Sequence, residues 1–363
     1  MGDVKTVAAT QKEITKWSLQ NGDLLLTEGG DLDKLGRGAC WSNQIPLCIH
    51  QNHIFRVRLP LDRYDPDFVS FQMAAPYGKK YFLAHAKKTT GIATINQQVL
   101  GAFPLISPPL EEQRQIARRL KARLEEAENA RRASVGQASE ADALINSIYR
   151  AAFQSIVPIA VPPALGAPPT GWSWLRLTDV ARLESGHTPS RSRPDWWGGD
   201  VSGISLTEIR ALDGQWVEST HLRTNAAGIA NSAARILPCG TVCFSRTASV
   251  GFVAMMAQPM ATSQDFANWV CGDGLDPEFL MYALIRSRRE LRELATGATH
   301  KTIYMPTLEA FHVCAPDPDT QRRIVAALKP RLADAATLRA ALHEQMADLT
   351  ALPQRLLAQA FKD

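Results

Sequence analysis

The chain repeats itself, and this repeat most constrains what it can fold into. Within the 363 residues, the segments 103–124 and 311–332 match at a constant offset of 208 positions. An internal repeat of this kind indicates one structural unit for each copy. The identical pairs within these segments are Phe103/Phe311, Pro108/Pro316, Gln113/Gln321, Arg114/Arg322, Ile116/Ile324, Leu120/Leu328, Lys121/Lys329, Arg123/Arg331 and Leu124/Leu332. The same offset continues beyond the segments to the ends of both copies, where Leu144/Leu352, Ala152/Ala360 and Phe153/Phe361 are among the identical pairs.

Upstream of these segments the match is looser, and the two copies differ in length. Asp65-Pro66 corresponds to Asp276-Pro277, and Thr90-Gly91 corresponds to Thr296-Gly297. Gly22 pairs with Gly240, so the segment 171–218 at the front of the second copy has no counterpart in the first. Two explanations stay open: a truncated or misassigned start, or a first domain that is genuinely shorter.

Each copy begins with a part that mixes short strands and helices. The apolar runs at 23–27, 53–59, 240–245 and 266–271 are bounded by turn residues, which is typical of strands. Asp-Pro followed by an apolar run predicts a helix that has Pro at its first position. The sequence therefore predicts an α+β protein with two mixed α/β parts.

Each copy ends in a long helix with an apolar face. Apolar residues recur every three or four positions, which is the period of a narrow seam. An arm of about 45 residues at 1.5 Å each is roughly 65 Å long. We expect the two arms to pair as an antiparallel coiled coil; separate amphipathic helices on the domain surfaces are the alternative. The seam residues are Ile116, Leu120, Leu124, Ala127, Ala130, Ala138, Ala141, Ile145 and Ile148 in the first arm, and Ile324, Leu328, Leu332, Ala335, Leu338, Leu342, Met346 (or Gln345), Leu349, Leu352 and Leu356 in the second.

These patterns divide the chain into five segments. The predicted order is a first mixed domain with its front part missing (1–108), a first arm (109–154), a Pro-rich extended linker (155–170), a second mixed domain (171–316) and a second arm (317–363). We expect the repeated Gln-Arg pairs at 113–114 and 321–322 to cap or dock the arms. The Trp196-Trp197 pair is expected to be a packing pair.

Charge and motif content exclude several function classes. The net charge is +4, and residues 161–363 hold equal numbers of basic and acidic residues, so DNA contact there requires local clustering. Phosphate-loop, dinucleotide-binding, hydrolase and zinc-protease motifs are absent from the sequence, which argues against an enzyme. The six cysteines form no C-x-x-C pair, so we expect free thiols and no metal site. No membrane-spanning run and no signal peptide are found, which predicts a cytoplasmic protein.

Four segments of the second copy form motifs of distinctive order and spacing. They are Trp172-x-Trp174-x2-Leu177-x2-Val180, Ser185-Gly186-His187-Thr188-Pro189-Ser190, Trp196-Trp197-Gly198-Gly199-Asp200 with Ile204-Ser205-Leu206, and Ala295-Thr296-Gly297-Ala298-Thr299-His300-Lys301-Thr302-Ile303. Together with the duplication, these motifs resemble one known family, the specificity subunits of type I restriction-modification systems. The resemblance covers essentially the whole chain and is strongest in the second copy, where His300 stands at a position at which Gln is common in the family.

The resemblance implies a non-catalytic subunit that reads DNA. Each mixed part would be a target recognition domain for one half of a bipartite double-stranded DNA sequence. The arms would act as a ruler and would dock two methyltransferase (modification) subunits, and a restriction subunit could join the complex. S-adenosylmethionine would bind those methyltransferase subunits, with no cofactor or metal on this chain.

Loops rich in cations, amides and hydroxyls are the candidates for DNA contact, because such groups read base edges and phosphates. Solvated surface charge is the alternative for each of them. The candidates are Thr188, Ser190, Arg191, Ser192, Arg193, Arg246, Gln264, Thr299, His300, Lys301 and Thr302 in the second copy, and Lys34, Arg37, Lys87, Lys88 and Thr89 in the first.

Three other readings remain open at this point. The chain could be a scaffold with one working DNA-reading domain, which the length of DNA protected would reveal. It could be an enzyme with unrecognised chemistry, although the missing motifs count against this. Two half-length chains could also dimerise to restore the symmetry of the repeat.

Overall fold

The structure is a computed structural model that describes residues 5–31, 35–36, 38–50, 53–89 and 92–361. The chain divides into two compact units, which we describe separately. Unit 1 comprises Met1–Ala138 and Ala341–Asp363, and unit 2 comprises Ser139–Ala340. This division differs from the predicted segments because each long helix is split between the two units.

Unit 1 contains short strands and helices, followed by most of the first long helix. Leu24, Leu26, Val69, Met73 and Phe82 are buried in its core. The elements are α1 (Gln11–Trp17), β1 (Leu24–Thr27), β2 (Gly29–Gly30), β3 (Gly38–Cys40), β4 (Ile54–Val57), α2 (Pro66–Ala74), α3 (Pro76–His85), β5 (Lys87–Thr89), β6 (Ile92–Thr94), α4 (Gln97–Gly101) and the long helix α5 (Leu110–Ala152).

Unit 2 has the same plan with additional strands. Its core includes Phe244, Trp269 and Phe279. The elements are β7 (Ile159–Ala160), β8 (Ser173–Arg176), α6 (Leu177–Val180), β9 (Ala181–Ser185), a 3-10 turn (Pro194–Trp196), β10 (Trp197–Ile204), β11 (Trp216–Val217), β12 (Arg223–Thr224), α7 (Ala226–Ala230), β13 (Val242–Ser245), β14 (Val253–Met256), β15 (Ala261–Thr262), β16 (Phe266–Cys271), α8 (Pro277–Arg286), α9 (Arg288–Glu293), α10 (Met305–Glu309), β17 (His312–Ala315) and the long helix α11 (Pro318–Ala360).

The two copies share a three-stranded antiparallel core. In unit 1 the strand order is β3-β1-β4, and in unit 2 the equivalent strands β14-β13-β16 lie inside a five-stranded sheet of order β11-β14-β13-β16-β9. The two extra strands, β9 and β11, come from the segment 171–218 that has no counterpart in the first copy. Among the described residues of unit 1, no strand occupies their positions. The α+β class and the strands predicted in this core are therefore present.

A buried glutamine fastens the start of the first long helix to unit 1. Gln113 is fully buried. Its Nε2 donates to the carbonyl oxygens of Arg63 at 3.0 Å and Pro108 at 2.8 Å, and its Oε1 accepts from the Asp65 N–H at 3.0 Å. Asp65 in turn caps α2 by accepting from the Phe68 N–H. The helix start and the preceding helix therefore share one hydrogen-bond network.

The same glutamine network recurs in unit 2. Gln321 is fully buried. Its Nε2 donates to the carbonyl oxygens of Gly274 at 3.1 Å and Pro316 at 2.9 Å, and its Oε1 accepts from the Asp276 N–H at 2.8 Å. Asp276 caps α8 as Asp65 caps α2. The repeat in sequence is thus a repeat in hydrogen bonding, and the glutamines dock the helices.

In the long helix α5, one row of buried or half-buried positions is spaced alternately by four and three residues, and α11 has the same row except at the exposed Arg339. This spacing corresponds to the 3.5-residue period of a supercoiled helix. Two predicted seam residues, Ala130 and Leu338, are wrong because they are exposed. They are equivalent in the repeat. In α5 the less exposed residue at this step is Arg131, whereas in α11 both Leu338 and the following Arg339 are exposed. Ile116 and Tyr149 in α5 are also half-buried, beside this row. In α5 the row is Gln113, Ala117, Leu120, Leu124, Ala127, Arg131, Ser134, Ala138, Ala141, Ile145 and Ile148.

The end of each long helix packs into the core of a unit. In unit 2, Phe153 is fully buried against Phe279, with ring centroids 5.3 Å apart. In unit 1, Phe361 packs against Phe68 at 5.4 Å. Phe279 and Phe68 are equivalent in the repeat, so both Ala-Phe ends make the same kind of contact.

Each unit also contains one apolar cluster to which both long helices contribute. In unit 1, Leu120 clusters with Leu356 and Leu357. In unit 2, Ile148 belongs to the same cluster as Val325 and Leu328. The beginning of one helix therefore lies in the same cluster as the end of the other.

The Pro-rich segment 155–170 is not only an extended linker. Ile159 and Ala160 form β7, which pairs antiparallel with β17. The Ile159 side chain is fully buried, and its N–H donates to the Ser287 hydroxyl at 2.9 Å. Sequence composition could not predict this pairing, since it depends on a strand more than 150 positions away.

Two further observations bear on the sequence-based expectations. Among the described helices, none combines the length and the apolar composition that crossing a bilayer requires. All six cysteines are free thiols. Burial raises the pKa of Cys271 to about 12, so this thiol stays protonated and unreactive at neutral pH.

The apolar seam predicts different effects for two leucines on α11. Leu328→Asp places a charge at a position that is 2% exposed, and we expect it to destabilise unit 2 by about 3–5 kcal/mol. Leu338→Asp, the matched control, replaces a side chain that is 47% exposed and should change stability by less than about 0.5 kcal/mol. Urea unfolding of the full chain measures both; equal destabilisation would contradict the seam.

Candidate nucleic-acid interface

Several loops of unit 2 lie along one edge of the five-stranded sheet, the edge that is formed by the ends of its strands. Strand β9 ends there at Ser185, which pairs with Ala267, and β13 ends at Ser245, which pairs with Phe266. The antiparallel register therefore brings the loops 186–196, 246–252 and 263–265 to the same edge. We call this set of loops, together with the loop 295–303 described below, the loop edge.

The first loop lies directly against the third. The His187 N–H donates to the Thr262 carbonyl oxygen at 2.9 Å. A side chain at Gly186 would overlap Thr262 and the Ser263 carbonyl oxygen, so only glycine permits this approach. The Ser-Gly-x-Thr-Pro-Ser motif is thus a close backbone contact that positions the residues after it.

The loop 295–303 is a tight turn that joins the same edge. Thr296 and Thr302 exchange backbone hydrogen bonds of 3.0 and 2.8 Å. Gly297 has φ 116°, and an added Cβ would lie 2.5 Å from the His300 carbonyl oxygen. The Ala248 N–H donates to the Lys301 carbonyl oxygen at 2.9 Å, which joins this turn to the loop 246–252. The turn holds Thr299, His300 and Lys301 in exposed positions.

Arg246 lies where three of these loops meet. Its guanidinium donates to the Gln264 carbonyl oxygen at 2.8 Å. Its backbone N–H donates to the Asp265 carbonyl oxygen, and its carbonyl oxygen accepts from the Ile303 N–H. The Arg246 side chain is half-buried. In the structure this residue, which was predicted to contact DNA, holds neighbouring loops together. The Gln264 side chain itself is exposed at the edge.

The cations of the loop 188–193 differ in their partners. The Arg193 guanidinium donates to both carboxylate oxygens of Asp195, at 3.0 and 2.8 Å, and lies 4.8 Å from the Trp196 ring. This guanidinium holds the pKa of the Asp195 carboxyl below its usual range. Arg191 is exposed. Among the predicted residues of this loop, Arg191 is therefore the cation best placed to contact a ligand.

The hydroxyl side chains of this loop are less free to contact a ligand than Arg191. Thr188 is half-buried, and the Ser190 and Ser192 hydroxyls share a hydrogen bond of 2.8 Å. The Trp197 indole donates to the Ser190 carbonyl oxygen at 3.1 Å, so one tryptophan of the pair supports the loop.

The first copy presents part of its predicted site. Lys87 and Lys88 are exposed on β5, which pairs with β6. Lys34, Arg37 and the side chain of Thr89 lie outside the described residues. The position equivalent to Arg246 is Glu28, whose carbonyl oxygen accepts from the Ile95 N–H as that of Arg246 accepts from Ile303. The backbone arrangement is shared while the charge at this position is reversed.

Sequence reasoning missed other cations near the loop edge. His221 and Arg223 line a shallow pocket with Arg191 and Trp197. Arg210, Arg288 and Arg292 surround Phe252 at the end of the loop 246–252. In the sequence, the arginine-rich run 286–292 could have indicated the two arginines at 288 and 292, but such a run is equally typical of the solvated face of a helix.

The turn geometry at Gly297 yields a testable difference. We expect Gly297→Ala to destabilise the turn by about 1–3 kcal/mol, because it adds backbone strain and a clash with a carbonyl oxygen. Gly240→Ala, the matched control, has positive φ but no atom within 4 Å of the added Cβ, so only strain applies. Hydrogen exchange at 295–303 should accelerate in Gly297→Ala alone; equal exchange in both variants would contradict the assignment.

The family model described as the type I restriction modification DNA specificity domain matches residues 169–345, which contain the whole loop edge. One similar curated protein is the type I restriction enzyme MjaIX specificity subunit of Methanocaldococcus jannaschii. It is 26% identical over 167 residues, which are 45% of this chain and 38% of that protein. The chain therefore aligns with less than half of that relative.

Two solved structures resemble the fold. A chain from a study of complex assembly and conformational transition of the type I R-M system has a TM-score of 0.76 and 21% identity, over 95% of this chain and 83% of that chain. The crystal structure of the HsdS subunit from Thermoanaerobacter tengcongensis has a TM-score of 0.58 and 21% identity, over 95% and 81% of the two chains. At these identities the likeness concerns the fold alone.

Proposed function

We propose, from the premise that the chain belongs to the family of type I restriction-modification specificity subunits, that it is the sequence-reading DNA-binding subunit of such a complex. The observation that carries the proposal is the loop edge of unit 2. Exposed cation, amide and hydroxyl groups project there from loops that hydrogen bonds and close-packed glycines hold together. Groups of this kind, fixed in position, are what base-edge recognition requires.

The target in this proposal is bipartite. The duplicated strand core and the two equivalent glutamine networks support two domains of one architecture. Different side chains at equivalent positions, such as Glu28 and Arg246, would let the two domains read different bases. Lys87 and Lys88 are the exposed cations available to the first domain on β5.

The long helices serve as the ruler between the half-sites. Both have 43 residues, and both bury positions at coiled-coil spacing. The shared apolar clusters in each unit support antiparallel pairing of the two helices. In this proposal their outer faces dock two methyltransferase subunits, and a restriction subunit completes the complex.

The chain itself contributes recognition and no catalytic group. Methyl transfer from S-adenosylmethionine belongs to the methyltransferase subunits in this proposal. Purified chain alone is expected to leave DNA neither methylated nor cut. Methyl transfer by the homogeneous chain would contradict this division of labour.

A second candidate is a scaffold with one working reader. It is favoured by the missing counterpart of β9 among the described residues of unit 1, because β9 carries the loop 186–196 in unit 2. The methylated sequence discriminates the two candidates. A target with two defined blocks supports two readers, whereas a single defined block supports the scaffold.

Removing an arginine and removing a lysine at the loop edge should have different effects on DNA recognition. Arg191→Ala should relax the preference at a single base position, because arginine can donate two hydrogen bonds to a guanine, worth about 1–3 kcal/mol. Lys301→Ala should weaken binding about equally for all sequences, as expected for a phosphate contact. Because Arg193 is paired with Asp195, Arg193→Ala should mainly loosen its loop.

Genome-wide methylation patterns measure these effects in cells that carry each variant with its modification subunit. Arg182→Ala is the matched control, since Arg182 is an exposed arginine on β9 that pairs with Glu184 and lies away from the loop edge. Unchanged patterns and unchanged binding in both Arg191→Ala and Lys301→Ala would mean that these loops do not face DNA.

A further inference from the structure

Three arginines from two separate segments surround one phenylalanine beside the loop edge. The guanidinium carbons of Arg210, Arg288 and Arg292 lie 5.6, 5.2 and 5.4 Å from the Phe252 ring centroid. Arg210 follows β10, whereas the other two belong to α9. We call this group the arginine cluster.

Hydrogen bonds hold two of the three guanidinium groups in place. Arg288 donates to both carboxylate oxygens of Asp213, at 2.6 and 2.7 Å, and to the Gly251 carbonyl oxygen at 2.7 Å. The Arg292 Nε donates to the Val250 carbonyl oxygen at 2.9 Å. These bonds orient both guanidinium groups against the loop 246–252. Within the part of the chain that the structure describes, the terminal nitrogens of Arg292 make no hydrogen bond.

The cluster carries more positive than negative charge. Asp213 is the one carboxylate bonded to it among the described residues, and it is engaged by Arg288. Arg210 and Arg292 are both exposed, and among the residues that the structure describes the Arg210 guanidinium donates only to the Ser249 hydroxyl, at 3.5 Å. Desolvation and the neighbouring Arg288 lower the pKa of Arg292, so an added anion would relieve repulsion within the cluster.

The cluster is continuous with the loop edge through short contacts. Arg210 contacts Ser249, and the adjacent Ala248 donates its N–H to the Lys301 carbonyl oxygen. The loop 246–252 thus has Lys301 on one side and the arginine cluster on the other. A duplex read by the loop edge would bring its phosphates past these arginines.

We propose that Arg210 and Arg292 form a clamp for a backbone phosphate of duplex DNA, next to the bases that the loop edge reads. This inference rests on the proposed function. Guanidinium groups bind phosphate through paired charge-assisted hydrogen bonds, and such contacts position the protein without reading sequence. Arg288 is a positioning residue that supports the loop and is already neutralised by Asp213.

The salt dependence of DNA binding tests the clamp. The full chain is titrated against a fluorescently labelled duplex of mixed sequence, with anisotropy as readout, in salt from about 50 to 200 mM. Each lost phosphate contact should lower the slope of log K against log salt by about 0.9 in magnitude. Arg210→Ala and Arg292→Ala should each lose about this amount, and over this range binding should weaken about 3.5-fold less than in the wild type.

Two further variants separate charge from loop support. Arg292→Lys keeps the charge but loses the planar guanidinium that bonds the Val250 carbonyl oxygen, and it should retain the wild-type slope. Arg289→Ala, the control on the same helix, removes a side chain that is 89% exposed and should leave the slope unchanged. A slope in Arg292→Lys as low as in Arg292→Ala would overturn the clamp and identify a loop brace.

The remaining outcomes distinguish the two proposals. If the wild-type chain shows no salt-dependent binding to DNA, the proposed function fails. If the wild type binds while Arg210→Ala and Arg292→Ala match Arg289→Ala, the clamp is wrong and the proposed function stands. Thermal unfolding of each variant confirms that slopes are compared between folded chains.

Discussion

The hydrogen bonds of one fully buried glutamine in each copy determine where the long helices begin. The side chains of Gln113 and Gln321 each join two carbonyl oxygens and one N–H from three different residues. A buried amide without these partners would be costly, so the preceding loop and the helix start can adopt only compatible positions. Because the N–H partner is an N-cap aspartate, the same network also orients α2 and α8. The direction of each long helix is thereby coupled to the domain that precedes it.

This coupling supports the proposed role of the long helices. Each helix is held by a buried glutamine at its first turn and by a buried phenylalanine at its last turn. We propose that helices held in this way act as the ruler between two half-sites. The loop edge of unit 2 depends on the same principle at smaller scale, since close-packed glycines and Arg246 fix the loops that carry the exposed side chains.

Much of this architecture could be predicted from the sequence, because the repeat and the apolar patterns are local signals. The strand core, the Asp-Pro helix starts and the docking role of the glutamines follow from them. The error at Ala130 arose because a pattern of apolar residues does not show whether a seam steps by three or by four, and in α5 the seam steps to Arg131. At the equivalent place in α11, both Leu338 and Arg339 are exposed. The Arg246 brace and the arginine cluster were missed because their partners are distant in sequence. The sequence therefore predicted which loops form the candidate site. It did not predict which of their cations are exposed, which are paired with a carboxylate and which hold two loops together.

The ruler can be tested by shortening both long helices together. Removing one heptad from the middle of each keeps the seam in register and shortens each helix by about 10 Å. At 3.4 Å per base pair, this corresponds to about three base pairs of DNA. The measurement is the methylated sequence in cells that carry the shortened chain and its modification subunit. The account predicts two unchanged blocks separated by a spacer about three base pairs shorter; an unchanged spacer, or a target with one continuous block, would contradict it.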